Sequence, residues 1–159
     1  MIFQGQEFLE DGWFQDTVPL DWSKLQRFPG IHRLYRDLVH LRRNAWGATG
    51  GLRGPNVRVH HVNDADKVVA FHRWNGGGPG DDVMVVANFA NRAYGEYRVG
   101  VPHGGEWKVR FNSDWNGYSP DFGSHHSWHA EADDIPWDGM PLSIAVGLGP
   151  YTALILSQD

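Results

Sequence analysis

The chain has 159 residues, 41% of them hydrophobic, and a formal net charge of −5 at pH 7. This length suits one ordinary hydrophobic core with a small appendage, and no apolar run approaches the roughly 20 residues that a transmembrane helix needs. The lack of cysteine excludes disulfides, thiolate metal ligands and thiol nucleophiles, and the lack of a Lys/Arg-rich stripe argues against a nucleic-acid partner.

The first residues of the chain predict a strand. Residues 1–8 form an apolar run that leads into a Gly-Gln-Glu turn, with no capping or leader residues before it. We therefore expect the chain to begin inside a larger domain, whose preceding part supplied the neighbours of this strand. Because an apolar strand without neighbours exposes unpaired backbone groups, we expect homo-oligomers that form through it.

The next segments predict an ordered loop and then a helix. Residues 9–27 alternate acidic and aromatic side chains and include a proline, a composition typical of loops that line sites. Apolar residues then recur at spacings of three and four, which predicts an amphipathic helix over residues 29–44. Its first residue is Pro29, which suits a first helical turn because no amide donor is needed there.

A glycine-rich connection marks a structural border. Residues 46–56 contain several glycines and a proline, and the hydrophobic period changes after them from helical to strand-like. We therefore divide the chain into residues 1–45, the connection 46–56, and a C-terminal all-β domain over residues 57–159.

Short alternating segments predict the strands of this last region. They cover residues 57–62, 67–74, 82–90, 96–101, 106–111, 142–148 and 151–156. Turn-forming connections predict one hairpin between the first two segments and another between the fourth and fifth. The intervening residues 112–142 are a long polar and aromatic excursion, which is expected to have a role or to pack on itself. Several short strands with turn signals between them favour an antiparallel Greek-key β-sandwich.

Several short motifs, in this order and spacing, resemble the end of the catalytic barrel and the following β-domain of the α-amylase superfamily. They are Gly5-Gln6-Glu7, Pro19-Leu20-Asp21-Trp22, Leu41-Arg42-Arg43, Val85-Val86-Ala87-Asn88-Phe89 and Gly149-Pro150-Tyr151-Thr152-Ala153-Leu154. The resemblance covers almost the whole chain and is greatest to glycogen (1,4-α-glucan) branching enzymes. It implies that residues 1–45 are a remnant of a (β/α)8 barrel, namely its last strand, loop and helix. It also implies a cytoplasmic parent enzyme that acts on α-glucans.

The resemblance implies no catalytic residue in this chain. The superfamily uses an Asp nucleophile, a Glu acid/base and a second Asp at the ends of barrel strands four, five and seven. This retaining chemistry requires two carboxyl groups about 5 to 5.5 Å apart. The chain resembles the family only from about barrel strand eight onward. The acidic side chains of residues 9–27 lack the barrel framework that would fix such a distance.

Candidate saccharide-binding residues lie in two aromatic segments. They are Trp13, Trp22, Asp114, Trp115, Asn116 and Tyr118. Aromatic rings stack on the apolar C–H faces of pyranose rings, and the polar side chains would bind hydroxyl groups. Aromatic side chains also bury large areas in protein interiors. The alternative for these residues is therefore packing, beneath a barrel rim or as a cap on the sandwich.

A histidine-rich segment supplies the candidate metal ligands. His125, His126 and His129 place three imidazoles within five residues, near several carboxylates, and this donor set suits zinc or nickel. The spacing matches no established metal motif, so the alternative is a surface loop with incidental metal affinity, and no cofactor is expected.

The other histidines in the predicted strands are expected to have no ligand role. His60 and His61 are adjacent in one strand, so we expect them to point to opposite faces, where they could not share one ion. His72 is expected at the surface of the sheet.

The sequence therefore predicts a structural or weakly glucan-binding C-terminal domain of an α-glucan-active glycoside hydrolase or glucanotransferase. The expected partner is an α-glucan such as glycogen, starch or a maltooligosaccharide, with no nucleic acid and no membrane involved. Two alternatives remain. One is an independently expressed carbohydrate-binding protein, and the other is a small metal-dependent hydrolase built on the histidine-rich segment.

Overall fold

A computed structural model describes residues 2–13 and 15–159, which form mainly β-structure. The helices in these residues are α1 (Lys24–Arg27) and α2 (Pro29–Arg42), with 3-10 turns at Gln6–Phe8 and Gly50–Leu52. The strands are β1 (Asn56–Asn63), β2 (Val68–Trp74), β3 (Val83–Asn88), β4 (Tyr94–Val101), β5 (Glu106–Asn112), β6 (Ala130–Glu131), β7 (Leu142–Leu148) and β8 (Ala153–Ser157). Within the described ranges, no helix is both long enough and apolar enough to cross a membrane.

The predicted N-terminal strand is wrong over residues 2–8, and Met1 lies outside the described residues. The chain turns at Gly5, whose φ of 80° is left-handed, and the amides of Phe8 and Glu10 both donate to the Gly5 carbonyl oxygen, at 3.1 and 3.0 Å. These local hydrogen bonds satisfy backbone groups that a strand would have to pair with a neighbour. The oligomers predicted to form through an exposed strand therefore lose their structural basis in these residues.

The helix predicted over residues 29–44 is confirmed as α2, which ends two residues earlier. Pro29 occupies its first turn, as expected. At the other end Asn44 adopts a φ of 54°, and its side-chain oxygen accepts a hydrogen bond from the Thr49 amide at 2.7 Å. The Thr49 hydroxyl also donates to the Leu41 carbonyl oxygen at 2.8 Å. These bonds satisfy polar groups at the helix end and direct the chain away from the helix axis.

The strands form two antiparallel sheets in the described part of the chain. The large sheet has the order β1-β2-β3-β8-β5-β6, and β4 and β7 form the small sheet. The hairpin predicted from residues 57–62 and 67–74 is confirmed as the β1–β2 pair. The apolar strand predicted over residues 82–90 is confirmed as β3, which lies in the large sheet between β2 and β8. The mainly antiparallel β-architecture of the C-terminal region is therefore confirmed.

The second predicted hairpin is wrong. β4 pairs with β7, whereas β5 pairs with β8 and β6, so two strands predicted to be neighbours lie in different sheets. Alternation of apolar and polar residues identifies a half-buried strand but does not identify its partner. In the small sheet Val99 pairs with Ile144, and both side chains are fully buried.

Among the residues that the structure describes, two hydrophobic clusters occupy the interior. The first contains side chains from both sheets, including the fully buried Val68, Met84, Val86, Val99, Trp107, Ile144, Leu148, Leu154 and Leu156. The second joins the large sheet to α2 and contains Leu41, Leu52, Val83, Phe111, Tyr118 and Ile155. The apolar face of α2 is thus buried against the sheet. The division of the chain at residues 46–56 stays a prediction.

A β-bulge in β1 changes the orientation expected for two histidines. The pairing with β2 shifts register between Val59 and His61, which leaves His60 as the extra residue. Both imidazoles then reach β4. His60 Nε2 lies 3.2 Å from the Gly100 carbonyl oxygen, and His61 Nε2 lies 2.8 Å from the Tyr97 hydroxyl oxygen. The expectation of opposite faces does not hold, because strict alternation is lost at a bulge.

Candidate functional site

The candidate site is a groove beside α2, which we call the Trp115 groove. Its lining comes from α2, from β5 and from the segment that follows β5, and includes Asp37, Arg110, Asn112, Trp115, His125 and Ser127. Its cavity volume is about 450 Å³, within the range of about 300–1,000 Å³ that is usual for small-molecule sites. The polar lining consists of carboxylate, guanidinium, amide, imidazole and hydroxyl groups. Such groups can exchange hydrogen bonds with a polyhydroxylated ligand.

Trp115 presents its indole ring in this groove with 41% of its surface exposed. The ring is supported by the backbone of Gly117, where an added Cβ would lie 2.3 Å from the Trp115 ring. The guanidinium of Arg33 lies over the same ring, 5.8 Å from its centroid. Glycine at position 117 is therefore required for the observed placement of the ring, part of which stays exposed beside the Arg33 guanidinium.

Tyr118 lies beneath Trp115 and is only 6% exposed. Its ring meets Trp115 edge to face at 4.9 Å between centroids, and its hydroxyl donates a hydrogen bond to Asp37 Oδ2 at 3.0 Å. Burial, reinforced by this hydrogen bond to Asp37, raises the pKa of the Tyr118 hydroxyl. Tyr118 therefore fits the packing alternative and supports the groove, because little of its ring is available for stacking.

The two polar residues predicted to bind a saccharide, Asp114 and Asn116, have different surroundings. The Asp114 carboxylate accepts hydrogen bonds from the amides of Gly123 and His125, both at 2.8 Å, and its carbonyl oxygen accepts one from the Ser124 amide at 2.8 Å. Asp114 thus closes the loop on itself, as expected for a long excursion with little regular structure. Asn116, two residues after Asp114, is exposed but lies outside the groove lining.

The three predicted metal ligands are not brought together. His125 Nε2 lies 3.3 Å from the Tyr94 carbonyl oxygen, and His126 stacks on Trp128 at 5.7 Å. His129 Nδ1 accepts a hydrogen bond from a β5 amide at 3.0 Å. In residues 2–13 and 15–159, no three His, Asp or Glu side chains are grouped to hold a metal ion. Each of the three imidazoles therefore has a different neighbour, and the metal site stays a prediction.

A second cleft contains Trp13, one of the two N-terminal candidates. Its cavity volume is about 330 Å³, and the Trp13 side chain is 94% exposed. Glu10 lines this cleft, and its carboxylate accepts hydrogen bonds from the Asp21 amide at 2.9 Å and from Lys24 Nζ at 2.6 Å. The bond from Lys24, with further bonds from backbone amides, lowers the pKa of Glu10 to about 2. Trp22 instead packs on Phe8, 5.0 Å between centroids, while 60% of it stays exposed.

A histidine–carboxylate cluster beside β2 and β3 was not predicted from the sequence. His72, expected at the surface, is 7% exposed, and its Nε2 lies 2.8 Å from Asp82 Oδ1. His103 Nε2 lies 3.0 Å from the other carboxylate oxygen of Asp82, which also accepts a hydrogen bond from the Gly78 amide at 2.8 Å. The sequence signal that could have indicated this cluster is Asp82 at the start of an otherwise apolar strand, because a buried carboxylate requires partners.

The comparisons with known proteins agree with this architecture. Residues 59–159 match the family described as the alpha amylase, C-terminal all-beta domain. The chain is 33% identical to the 1,4-alpha-glucan branching enzyme GlgB of Nocardia farcinica, over 99% of this chain and 21% of that one. It is 32% identical to the enzyme of the same name from Aquifex aeolicus, over 100% of this chain and 26% of that one. The chain therefore spans about a fifth to a quarter of the length of these relatives.

A solved structure shares the fold. The α-amylase from H. orenii aligns with a TM-score of 0.53 at 20% sequence identity. The alignment covers 88% of this chain and 23% of that one. It therefore places most of the chain in a fold that forms only part of a longer protein in that structure.

Proposed function

The chain belongs to the alpha amylase, C-terminal all-beta domain family, and from this premise we propose that it is the α-glucan-binding domain of a branching enzyme-like protein. The ligand would be glycogen, starch or a maltooligosaccharide, and contact would be weak and centred on Trp115. Residues 1–45 would correspond to the end of the catalytic barrel of that protein. The cytoplasmic location expected from the family resemblance is part of the same proposal.

The observation that carries the proposal is the exposed indole of Trp115 in a groove with a polar lining. A pyranose ring has an apolar face of C–H groups and a rim of hydroxyls. The indole can cover the face, and polar side chains of the lining can hydrogen-bond to the rim. The support from Gly117 and Tyr118 holds the indole in place before binding, which reduces the entropy lost when a ligand is ordered.

The proposed role is binding without turnover. Glu10 and Asp11 are neighbouring carboxylates in the N-terminal cleft, and both contact Lys24. Hydrogen bonds from Lys24 lower the pKa of each carboxyl group. Neither group therefore retains, near neutral pH, the proton that the general acid of a retaining glycosidase must donate.

The decisive experiment compares Trp115→Ala with Trp46→Ala. Trp46 is 61% exposed and meets His40 edge to face at 5.2 Å, so it is a matched tryptophan outside the groove. We expect Trp115→Ala to weaken binding to maltoheptaose and glycogen about tenfold, which corresponds to about 1.4 kcal/mol. Trp46→Ala should leave both affinities unchanged. If the two substitutions changed the affinities equally, or if neither changed them, the proposed binding role of the Trp115 groove would be contradicted.

Turnover is measured in the same samples. We expect no increase in reducing ends and no change in branch points when the purified chain is incubated with glycogen or maltoheptaose. Turnover that survives purification controls and replacement of His125, His126 and His129 would identify carboxylate chemistry within this chain. Turnover that depends on added metal and on those histidines would favour the metal-dependent hydrolase.

A further inference from the structure

Another cleft lies where β1 approaches β4. Its cavity volume is about 310 Å³, at the lower end of the usual range for small-molecule sites. The side chains that carry the following argument are His61, Asn63, Arg92, Glu96, Arg98 and Trp137. The lining of this cleft, which we call the Trp137 cleft, shares no residue with the lining of the Trp115 groove.

The turn that carries Trp137 is fixed by backbone hydrogen bonds. Trp137 and Met140 exchange two of them, at 3.1 and 2.8 Å, around a two-residue turn. The two turn residues, Asp138 and Gly139, have φ values of 55° and 70°. An Asp-Gly pair with both φ angles positive is the preferred sequence for a tight hairpin turn of this kind. The position of the Trp137 backbone is therefore strongly determined.

A second set of contacts attaches this turn to β4. The Asp138 carboxylate accepts a hydrogen bond from the Gly100 amide at 3.1 Å and lies 2.9 Å from His61 Nδ1. A Cβ atom at Gly100 would lie 2.2 Å from the Trp137 carbonyl oxygen, so only glycine permits this approach. The backbone is thus held from two sides, while the Trp137 side chain stays 44% exposed.

The polar groups of the cleft are also held in place before any ligand arrives. The Tyr97 hydroxyl is 2.8 Å from His61 Nε2 and accepts a hydrogen bond from Asn63 Nδ2 at 3.1 Å. Tyr97 is 7% exposed and packs edge to face on His61 at 5.5 Å between centroids. Preorganisation of this kind lowers the entropic cost of binding.

The balance of charge indicates the class of ligand. Asp66 and Glu96 supply two negative charges to the lining, and Arg92 and Arg98 supply two positive charges. Arg92 Nη1 lies 3.8 Å from Asp66 Oδ1, and Arg98 Nη1 lies 2.7 Å from Asp133 Oδ2, so both guanidinium groups already face a carboxylate. An ion would have to compete with these pairs, whereas a neutral ligand with many hydroxyl groups can hydrogen-bond to the N–H groups and carboxylate oxygens that the pairs leave exposed. An aromatic ring beside such groups adds a surface for an apolar sugar face.

We propose that the Trp137 cleft is a second saccharide site, which takes one neutral glucosyl unit on the exposed ring of Trp137. The site has its own platform and its own polar groups, so it does not depend on the Trp115 groove. Two separate sites on one domain would let a branched or long glucan be held at two points, which increases its apparent affinity through effective concentration.

The test follows the indole N–H signals of the full chain by NMR during titration with maltotriose. Trp115→Ala and Trp137→Ala each remove one signal, which assigns it. We expect saturable shifts of the Trp115 and Trp137 signals, with the Trp46 signal unchanged. In the Trp115→Ala variant the Trp137 signal should still shift with the same midpoint. Thermal unfolding of each variant checks that the fold is retained.

Two further variants separate a binding role from a general surface effect. Ile135→Ala removes an exposed apolar side chain, 46% exposed, two residues before Trp137 and outside the cleft lining. It should leave both midpoints unchanged. Glu96→Ala removes an exposed carboxylate of the cleft and should weaken the Trp137 response about tenfold while leaving the Trp115 response intact.

The outcomes distinguish this inference from the proposed function. Shifts of the Trp115 signal alone would overturn the second site and leave the proposed function standing. Shifts of the Trp137 signal alone would support the second site and overturn the assignment of the Trp115 groove. A titration that moves neither signal would overturn both.

Discussion

Asp82 lies between two imidazoles, with its Oδ1 atom 2.8 Å from His72 Nε2 and its Oδ2 atom 3.0 Å from His103 Nε2. The carboxylate is only 1% exposed, and His72 stacks on Trp74 at 4.4 Å between centroids. A buried carboxylate is tolerated only when its oxygens are satisfied, so the two imidazoles and the Gly78 amide together make this position stable.

Replacing Asp82 by Ala should therefore lower the free energy of unfolding by about 3 kcal/mol, because it leaves His72 buried without its partner. The control is Asp64→Ala, which removes an exposed ion pair with Lys67 and should change stability by less than about 0.5 kcal/mol. Urea unfolding monitored by tryptophan fluorescence measures both. A loss below about 1 kcal/mol for Asp82→Ala would show that the cluster contributes little.

The hydroxyl of Tyr118 gives a pH-dependent prediction. Its pKa is raised in the folded protein by burial and by the hydrogen bond to Asp37. A raised pKa means that the protonated hydroxyl favours the folded state, so this stability is complete below the unfolded value of about 10 and is lost as the pH rises above it. The free energy of unfolding should consequently fall more steeply above pH 10 in the wild type than in Tyr118→Phe.

At neutral pH the same Tyr118→Phe substitution should cost about 1 kcal/mol, the usual value of one lost hydrogen bond. Tyr151→Phe is the matched control because Tyr151 is 68% exposed. It should reproduce the wild-type stability and the wild-type slope at high pH. Identical slopes for wild type and Tyr118→Phe would exclude Tyr118 as the source of the effect.

The parts of the fold that the sequence predicts are those set by local pattern. The spacing of apolar residues along α2 depends only on which face is buried, and the alternation along β4 and β5 depends only on one face being buried. The pairing of β4 with β7 instead depends on contacts between residues far apart in sequence, such as Val99 and Ile144. The apolar N-terminal residues do not form the predicted strand, because the left-handed turn at Gly5 ends any extended conformation after a few residues.

The candidate site shows the same limit. Trp115 could be proposed from the sequence because an aromatic residue in a polar loop is itself a signal. The burial of Tyr118 could not be predicted in this way, because its hydroxyl bonds to Asp37 of α2, which is 81 residues away in the sequence. The contact between His61 and Asp138 spans 77 residues, and no local pattern encodes it. Sequence reasoning therefore identified an aromatic surface residue but not the side chains that hold such residues in place.

Gly117 offers a test of the Trp115 groove that removes no groove side chain. In Gly117→Ala the new Cβ atom would lie 2.3 Å from the Trp115 ring, so the indole must move from its observed position. We expect binding of maltoheptaose to weaken about as much as in Trp115→Ala, roughly tenfold. Gly95→Ala is the control, because a Cβ atom at Gly95 would have no described neighbour within 4 Å other than the residues adjacent in the chain.

Isothermal titration calorimetry compares the affinities of these two glycine variants, and the near-UV circular dichroism of the aromatic side chains reports the displaced indole. Unchanged affinity in Gly117→Ala, with a changed aromatic spectrum, would mean that the position of Trp115 does not matter for binding. Such a result would contradict the proposed stacking on the ring.

The contact between Glu10 and Lys24 predicts how the N-terminal loop responds to acid. The pKa of Glu10 is lowered from an ordinary value of 4.5 to about 2, mainly by the hydrogen bond from Lys24 and then by backbone amides. A lowered pKa means that the ionised carboxylate favours the folded loop. This contribution is complete above pH 4.5 and is lost as the pH falls toward 2.

Lys24→Ala should therefore raise the pKa of Glu10 toward 4.5 without restoring it fully, since the amides of Gly12 and Asp21 still donate to the carboxylate. Carboxyl NMR signals followed from neutral pH to about pH 2 measure this change. Lys67→Ala, which removes a lysine that pairs with a different carboxylate, should leave the Glu10 titration unchanged. If Glu10 titrated identically in wild type and Lys24→Ala, the backbone amides alone would set its pKa, and Lys24 would have no part in fixing the loop that carries Trp13.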